Sequence, residues 1–359
     1  MPIIAPAHLV ALANHLKGAA LISQPQPHLD QSAEAVPDLK DVRGQESAKR
    51  ALEVAAAGGH HMIMIGAPGA GKSMLAQRLP SILPPLEPQE LLEVAMIQSV
   101  AGVIINGSLT SNRPFRAPHH SASMAALVGG GARPKPGEVA LAHHGVLFLD
   151  EFAEFPPHVL DALRQPIESG ETVIARVNHR IRYPSRFQLV AAMNPCRCGH
   201  AWTPGMTCRL GPRCEESYRA RISGPLWDRL DIQIAVAPVK ATDLALPPSR
   251  ETSADVAKRV SMARSIQARR YSIIGNDVVT TNARCPAALL EEFCGLNREG
   301  MRLLEQAAES DGLSARGYHR TLRLARTLAD LDASADTHAV HVAEALGLRG
   351  YGLGARRAA

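Results

Sequence analysis

Residues 61–73 read HMIMIGAPGAGKS, a short apolar run that stops at a glycine-rich turn, a lysine and a serine. Gly66, Gly71, Lys72 and Ser73 satisfy the spacing G-x-x-x-x-G-K-[ST], which describes a phosphate-binding loop when a strand precedes it and a helix follows. Both flanks are present: His61 to Ile65 reads as a buried strand and Lys72 to Leu79 as a helix, with Pro80 near its end. Through Gly66, Ala67, Pro68, Gly69, Ala70 and Gly71 the backbone can turn its N–H groups inward around phosphate oxygens. The helix N-terminus, at Lys72, Ser73 and Met74, adds its partial positive charge. Lys72 would reach the β and γ phosphates and Ser73 would hold Mg²⁺, so ATP and Mg²⁺ are the expected cofactors.

Further along, Gly145 to Glu151 reads GVLFLDE, four apolar residues that end in two acids. A buried parallel strand reads as a continuous apolar run, and ligands sit beyond the carboxyl ends of such strands. Asp150 and Glu151 are therefore expected beside the phosphate loop, Asp150 to order Mg²⁺ and Glu151 to orient or deprotonate an attacking water. A third strand, Phe187 to Ala192, leads to Asn194, whose amide could hydrogen-bond the γ-phosphate or that water. These three strand ends predict an α/β domain with a parallel sheet.

Composition bounds the rest. The chain has 359 residues, 46% of them apolar and 20% charged, which is ordinary for a globular protein with room for two cores. A net charge of +5 permits a polyanionic partner without requiring one. Aromatic residues make up only 4%, which argues against a base-stacking platform for single strands. There is no long apolar run and no signal-peptide pattern, so no membrane contact and a cytoplasmic location are expected.

Around the central motif the chain divides into three. Residues 1–36 form a lead-in: an apolar turn at Leu9, Val10, Leu12 and Leu16, then a linker rich in Gln, Pro and Ser. Residues 37–240 hold the strands, with a helix expected over Gln45 to Ala57 that buries Ala48, Leu52, Val54 and Ala55. Within this part, Glu171 to Tyr183 alternates apolar and polar residues on both sides of Asn178 and His179, the pattern of a hairpin. Arg176, His179 and Arg180 would lie at its tip, either as a solvated turn or as a contact for a nucleic-acid backbone. Residues 241–359 read as helical throughout. There Leu324, Leu328 and Leu331 form one face of a helix and Arg316, Arg320 and Arg323 another, a ridge expected to be largely solvated.

Four of the six cysteines, Cys196, Cys198, Cys208 and Cys214, fall within nineteen residues, with His200 close by. Four soft ligands suffice for tetrahedral Zn²⁺, while four reduced thiols are the plain alternative.

The segments GGHHMIMIGAPGAGKSMLAQRLPSILPPL, FRAPHHSASMAALVGGGARPKPGEVALAHHGVLFLDE, AAMNPCRCG and YRARISGPLWDRLDI resemble the magnesium-chelatase-like AAA+ family. The resemblance runs from about residue 36 to 348. It implies an AAA+ P-loop NTPase domain followed by an all-helical lid, assembled as a homo-hexameric ring. For the competence-related branch it implies a helicase that drives branch migration of recombination intermediates in natural transformation, with DNA as partner. Chelatase-type and MoxR-like members, which remodel a protein partner, are the alternative. Such proteins often begin with a Lon-protease-like domain, of which residues 1–36 would be the tail. By position, Lys72 and Ser73 match the Walker A pair, Asp150 and Glu151 the Walker B pair, and Asn194 the sensor 1 residue. Arg229 matches the arginine finger, with Arg221 as second choice, and Arg316 matches sensor 2. Val42 to Gln45 would line the adenine. Glu171 to Tyr183 would be the pre-sensor hairpin facing the ring pore, and Pro114 to Gly137 the helix-2 insertion. Trp227 departs from the Leu usual in the family.

Overall fold

The computed structural model describes residues 4–24, 36–103, 110–131, 134–176, 179–202, 205–239, 249–273, 279–310 and 313–350. Its centre is a five-stranded sheet in the spatial order Phe115–Arg116, Val146–Leu149, Gln188–Met193, Met62–Ile65, Ile232–Ala235. Every pairing is parallel, with Met62 opposite Val190 on one side and Ile232 on the other. Parallel neighbours need crossover connections, so both faces of the sheet are covered. That explains why MIMI and VLFL are uninterrupted apolar runs.

One face, with Met62, Met64, Phe148 and Val190, packs on the helices Glu46–Gly58 and Lys72–Ile82. The other, with Ile63, Leu147 and Leu189, packs on Phe152, Phe155, Leu160 and Leu226. Helix Glu46–Gly58 starts one residue later than expected, because Gln45 adopts a left-handed φ of 59°. Its burial is also wider than a one-sided pattern implies. Ala51, Ala56 and Ala57 are buried along with Ala48, Leu52, Val54 and Ala55. The helix is covered by the sheet on one side and by the lid helices Ser253–Ile273 and Ala315–Leu331 on the other. The phosphate-loop helix runs past Leu79 to Ile82 with Pro80 inside it, where the ring forgoes one backbone hydrogen bond.

The lid comprises the helices Ser253–Ile273, Ala287–Cys294, Arg298–Ser310, Ala315–Leu331 and Ala339–Leu348. Leu324 and Leu328 are fully buried, as the apolar periodicity predicts. The basic ridge is not solvated as expected. Arg320 pairs with the buried Asp231 of the α/β domain, and Arg323 Nε donates to the carbonyl of Cys285. Burial makes both contacts favourable, since a guanidinium taken out of water must replace its lost hydrogen bonds. Residues 240–248, which contain the expected domain boundary, lie outside the described residues.

The expected hairpin forms, with Glu171–Arg176 antiparallel to His179–Pro184 and Arg176 opposite His179. Its root is anchored by Ile174, Ile181 and Tyr183 packed on Ile97 and Ala140. Arg180 is exposed; the turn at 177–178 and the side chains of Arg176 and His179 lie outside the described residues. In the lead-in, Leu9–Leu16 is a helix with no buried residue, and most of the expected linker, 25–35, lies outside the described residues. No described helix is long and apolar enough to cross a membrane.

Candidate active site

The carboxyl ends of the three central strands deliver the predicted residues to one cavity of about 360 Å³. Residues 68–74 form one wall, and Asp150, Glu151, Met193 and Asn194 form the other. The loop's path demands glycine at its entry. A Cβ on Gly66 would lie 2.4 Å from the carbonyl oxygen of Val236, while Gly69 and Gly71 adopt φ of 75° and 87°. Gln45 ties this turn to its surroundings, its side-chain amide donating to the carbonyls of Ala237 (2.6 Å) and Ala70 (3.4 Å). Val42, expected with Gln45 at the base, is buried in the main core.

Lys72 is nearly buried, and its ammonium donates to the carbonyls of Gly66 (2.8 Å) and Ala67 (2.9 Å) and to Asn194 Oδ1 (3.2 Å). Burial lowers the pKa of this amine, and the nearby Asp150 carboxylate opposes that shift. Ser73 Oγ donates to Asp150 Oδ2 at 2.6 Å, and Asp150 Oδ1 accepts from the backbone N–H of Glu151 at 2.9 Å. A hydroxyl and a carboxylate held in contact are the hard oxygen donors that Mg²⁺ takes, so the residues present fit that ion.

Glu151 occupies φ 49°, ψ 44°, a left-handed conformation uncommon for a residue with a side chain. Its carboxylate lies 2.7 Å from His120 Nδ1. Sequence reasoning missed this partner; the signal was the histidine pair in FRAPHHSAS, directly after the edge strand Phe115–Arg116.

The arginines expected from the resemblance lie elsewhere. Arg229 is buried; it donates to the carbonyl of Pro225 at 2.6 Å and forms an ion pair with Glu168. In this conformation it is therefore engaged within its own chain. Arg221 reaches the carbonyl of Glu154 at 3.5 Å, close behind the acidic strand end. Arg316 is exposed on the first turn of helix Ala315–Leu331 and does not line the phosphate-loop cavity. Trp227 is a packing variant with its own contacts: its indole N–H donates to Gln233 and Arg219 stacks 4.4 Å from its ring centre.

Two other groups of metal-binding residue types converge among the described residues. The four predicted cysteines bring their sulfurs within 4.8 Å of one another. Glu93, His143 and His144 also meet, but His143 Nδ1 accepts the backbone N–H of Arg186, so its Nε2 carries the proton that bonds Glu93. That trio is a hydrogen-bonded pair of rings on one carboxylate.

Residues 38–244 match the family described as magnesium chelatase, subunit ChlI, and residues 250–349 match the C-terminal family of that subunit. The chain belongs to the magnesium-chelatase family of AAA+ proteins. Among its relatives it is 48% identical to the competence protein ComM of Haemophilus influenzae, over 87% of this chain and 60% of that protein. It is 44% identical to the uncharacterised protein YifB of Escherichia coli, over 95% of this chain and 66% of the relative. The magnesium-chelatase 38 kDa subunit of Rhodobacter capsulatus is 31% identical, over 42% of this chain and 48% of that subunit. The chain thus spans about two thirds or less of the length of these relatives. Membership in this family implies use of ATP and Mg²⁺, in keeping with the paired Ser73 and Asp150.

Proposed function

We propose that this chain is an ATP-hydrolysing subunit of a six-membered ring that translocates or remodels DNA, as a helicase or branch-migration motor. The observation that carries the hydrolytic part is the meeting of Lys72, Ser73, Asp150, Glu151 and Asn194 at one cavity rim. The loop N–H groups and Lys72 would bind the β and γ phosphates, Lys72 exchanging its carbonyl partners for phosphate oxygens. Ser73 and Asp150 would hold Mg²⁺, which supplies neutralisation of charge on those oxygens when bound. Asn194, already in contact with Lys72, would orient the γ-phosphate. Glu151 would release His120 and take the proton of an attacking water.

The DNA part is supported by the likeness to a protein named for competence and by the hairpin with exposed Arg180. Contacts of this kind go to phosphates and carry little sequence preference. Arg229 is proposed to act as the finger across a subunit boundary, which requires ring assembly to break its pair with Glu168. Arg316 is proposed as sensor 2, which requires a lid movement toward the cavity. Likeness to a magnesium-chelatase subunit favours a second reading, a ring that remodels a protein partner. ATPase assays with and without branched DNA separate the two. Stimulated turnover supports the DNA motor, and equal turnover at low salt favours the protein remodeller.

A further inference from the structure

Cys196, Cys198, Cys208 and Cys214 take no part in the hydrolytic chemistry, and two of their sulfur separations are short. Cys196 Sγ lies 3.2 Å from Cys198 Sγ, which lies 3.4 Å from Cys208 Sγ. A disulfide needs about 2.05 Å between sulfurs. An ion holding four sulfurs at about 2.3 Å in a tetrahedron spaces them about 3.8 Å apart, between the shortest separation here and the 4.8 Å limit of the cluster.

The backbone around the sulfurs is built twice in the same way. Residues 196–199 read CRCG and residues 208–211 read CRLG. In each, the glycine adopts a positive φ (76° and 55°) and its N–H donates to the carbonyl of the first cysteine, at 3.1 and 3.0 Å. Each turn also aims amides at sulfur. Ala201 N–H donates to Cys196 Sγ at 3.3 Å, His200 N–H to Cys198 and Leu210 N–H to Cys208. Amide donors on a ligand atom fix its direction, as the outer partners of a metal site do. Leu210 stands in the second turn where Cys198 stands in the first. Cys214, buried in the first turn of the helix Pro212–Arg219, supplies the fourth sulfur instead. His200 contributes its backbone, not its ring, to the cluster.

We propose that these four cysteines bind one Zn²⁺, and that the ion pins the loop after the sensor strand against the phosphate loop. On binding, each thiol releases its proton to solvent and forms one Zn–S bond, with no change of oxidation state. The exposed Arg197, Arg209 and Arg213 of the same stretch offset the double negative charge of the loaded site. Mechanical contact with the nucleotide cavity is direct. A Cβ on Gly199 would lie 3.1 Å from Pro68 Cγ, and Asn194 stands two residues before Cys196.

Metal analysis of protein purified without chelator tests the site. One zinc per chain is expected, and Co²⁺ in its place should give the intense visible bands of tetrahedral thiolate coordination. Cys208→Ser should lose the metal, whereas Cys285→Ser, at a buried cysteine of the lid, should keep it. Well under one zinc per chain, absence of the cobalt bands in the parent protein, or full zinc in Cys208→Ser would overturn the site. In zinc-free Cys208→Ser protein that retains its circular dichroism, affinity for a fluorescent ATP analogue should fall roughly tenfold. Unchanged affinity there would overturn the bracing role.

Discussion

Removing Arg320 should uncouple the lid from the α/β domain. Asp231 is 2% exposed and its carboxylate meets three groups: the guanidinium of Arg320, the backbone N–H of His61 at 3.1 Å, and His60 Nδ1 at 3.5 Å. Burial alone would raise this carboxyl's pKa. Arg320 and His60 outweigh burial and hold it well below the usual carboxylate range. Arg320→Ala leaves a buried charge with only the His61 N–H and His60 beside it, a change that typically costs about 3–5 kcal/mol. A cavity of about 370 Å³ lies against both residues, so water can enter and the lower end, about 3 kcal/mol, applies. At roughly 2.1 cal/mol/K per residue, 359 residues give about 0.75 kcal/mol/K, so a cooperative transition should shift by about 4 °C. Urea denaturation at pH 7 measures the loss directly. The native carboxyl is depressed, so its contribution is present above the unfolded pKa of about 3.9 and is lost as pH falls below it. The gap between parent and variant should therefore narrow below about pH 4. A loss under about 1 kcal/mol at pH 7, the size of an exposed ion pair, would refute the reasoning.

Glu151→Gln should bind ATP and Mg²⁺ normally yet hydrolyse about 10²-fold or more slowly, whereas Lys72→Ala should weaken binding itself; single-turnover and binding assays tell the two apart. Arg229→Ala should bind ATP and lose most hydrolysis, and mixing it with Lys72→Ala protein should restore some turnover through hybrid interfaces; lost binding with no rescue would assign Arg229 a role inside one subunit. His143 is kept neutral, its pKa lowered to about 4 by burial and by the neighbouring His144. An unfolded histidine protonates near pH 6.5, so stability should fall between about pH 6.5 and pH 4, and His143→Gln should flatten that part of the profile in chemical denaturation. The double substitution Arg176→Ala with Arg180→Ala should leave basal ATPase intact and reduce both DNA stimulation and the salt slope of DNA binding; unwinding at the parental rate would exclude the hairpin as the motor's contact.

Legibility in the sequence followed how local the determining physics is. The phosphate loop, the strand ending in Asp150 and Glu151, and the hairpin all rest on short-range patterns, and each formed where the pattern lay. The second burial face of helix Glu46–Gly58 was hidden, because its alanines pack against a lid whose helices come two hundred residues later. Arg320 and Arg323 carried the same ambiguity. A basic ridge at helical spacing looks solvated until Asp231 and the carbonyl of Cys285 arrive from distant segments. His120 was invisible as the partner of Glu151 for a similar reason: nothing in FRAPHHSAS says which strand end its loop will overhang. The cysteines were the reverse case: Cys196, Cys198, Cys208 and Cys214 lie close together in the chain, and their sulfurs meet in space.

The left-handed backbone at Glu151 carries a consequence for how this protein can be improved. A residue with a Cβ held there typically costs on the order of 1 kcal/mol or more, and glycine would relax that strain. Glu151→Gly should thus make a protein that melts later and no longer works. Selection for heat resistance alone would drift toward that change, whereas selection for turnover must tolerate the strain. On the role proposed for Glu151, endurance and activity are opposing traits at this one position.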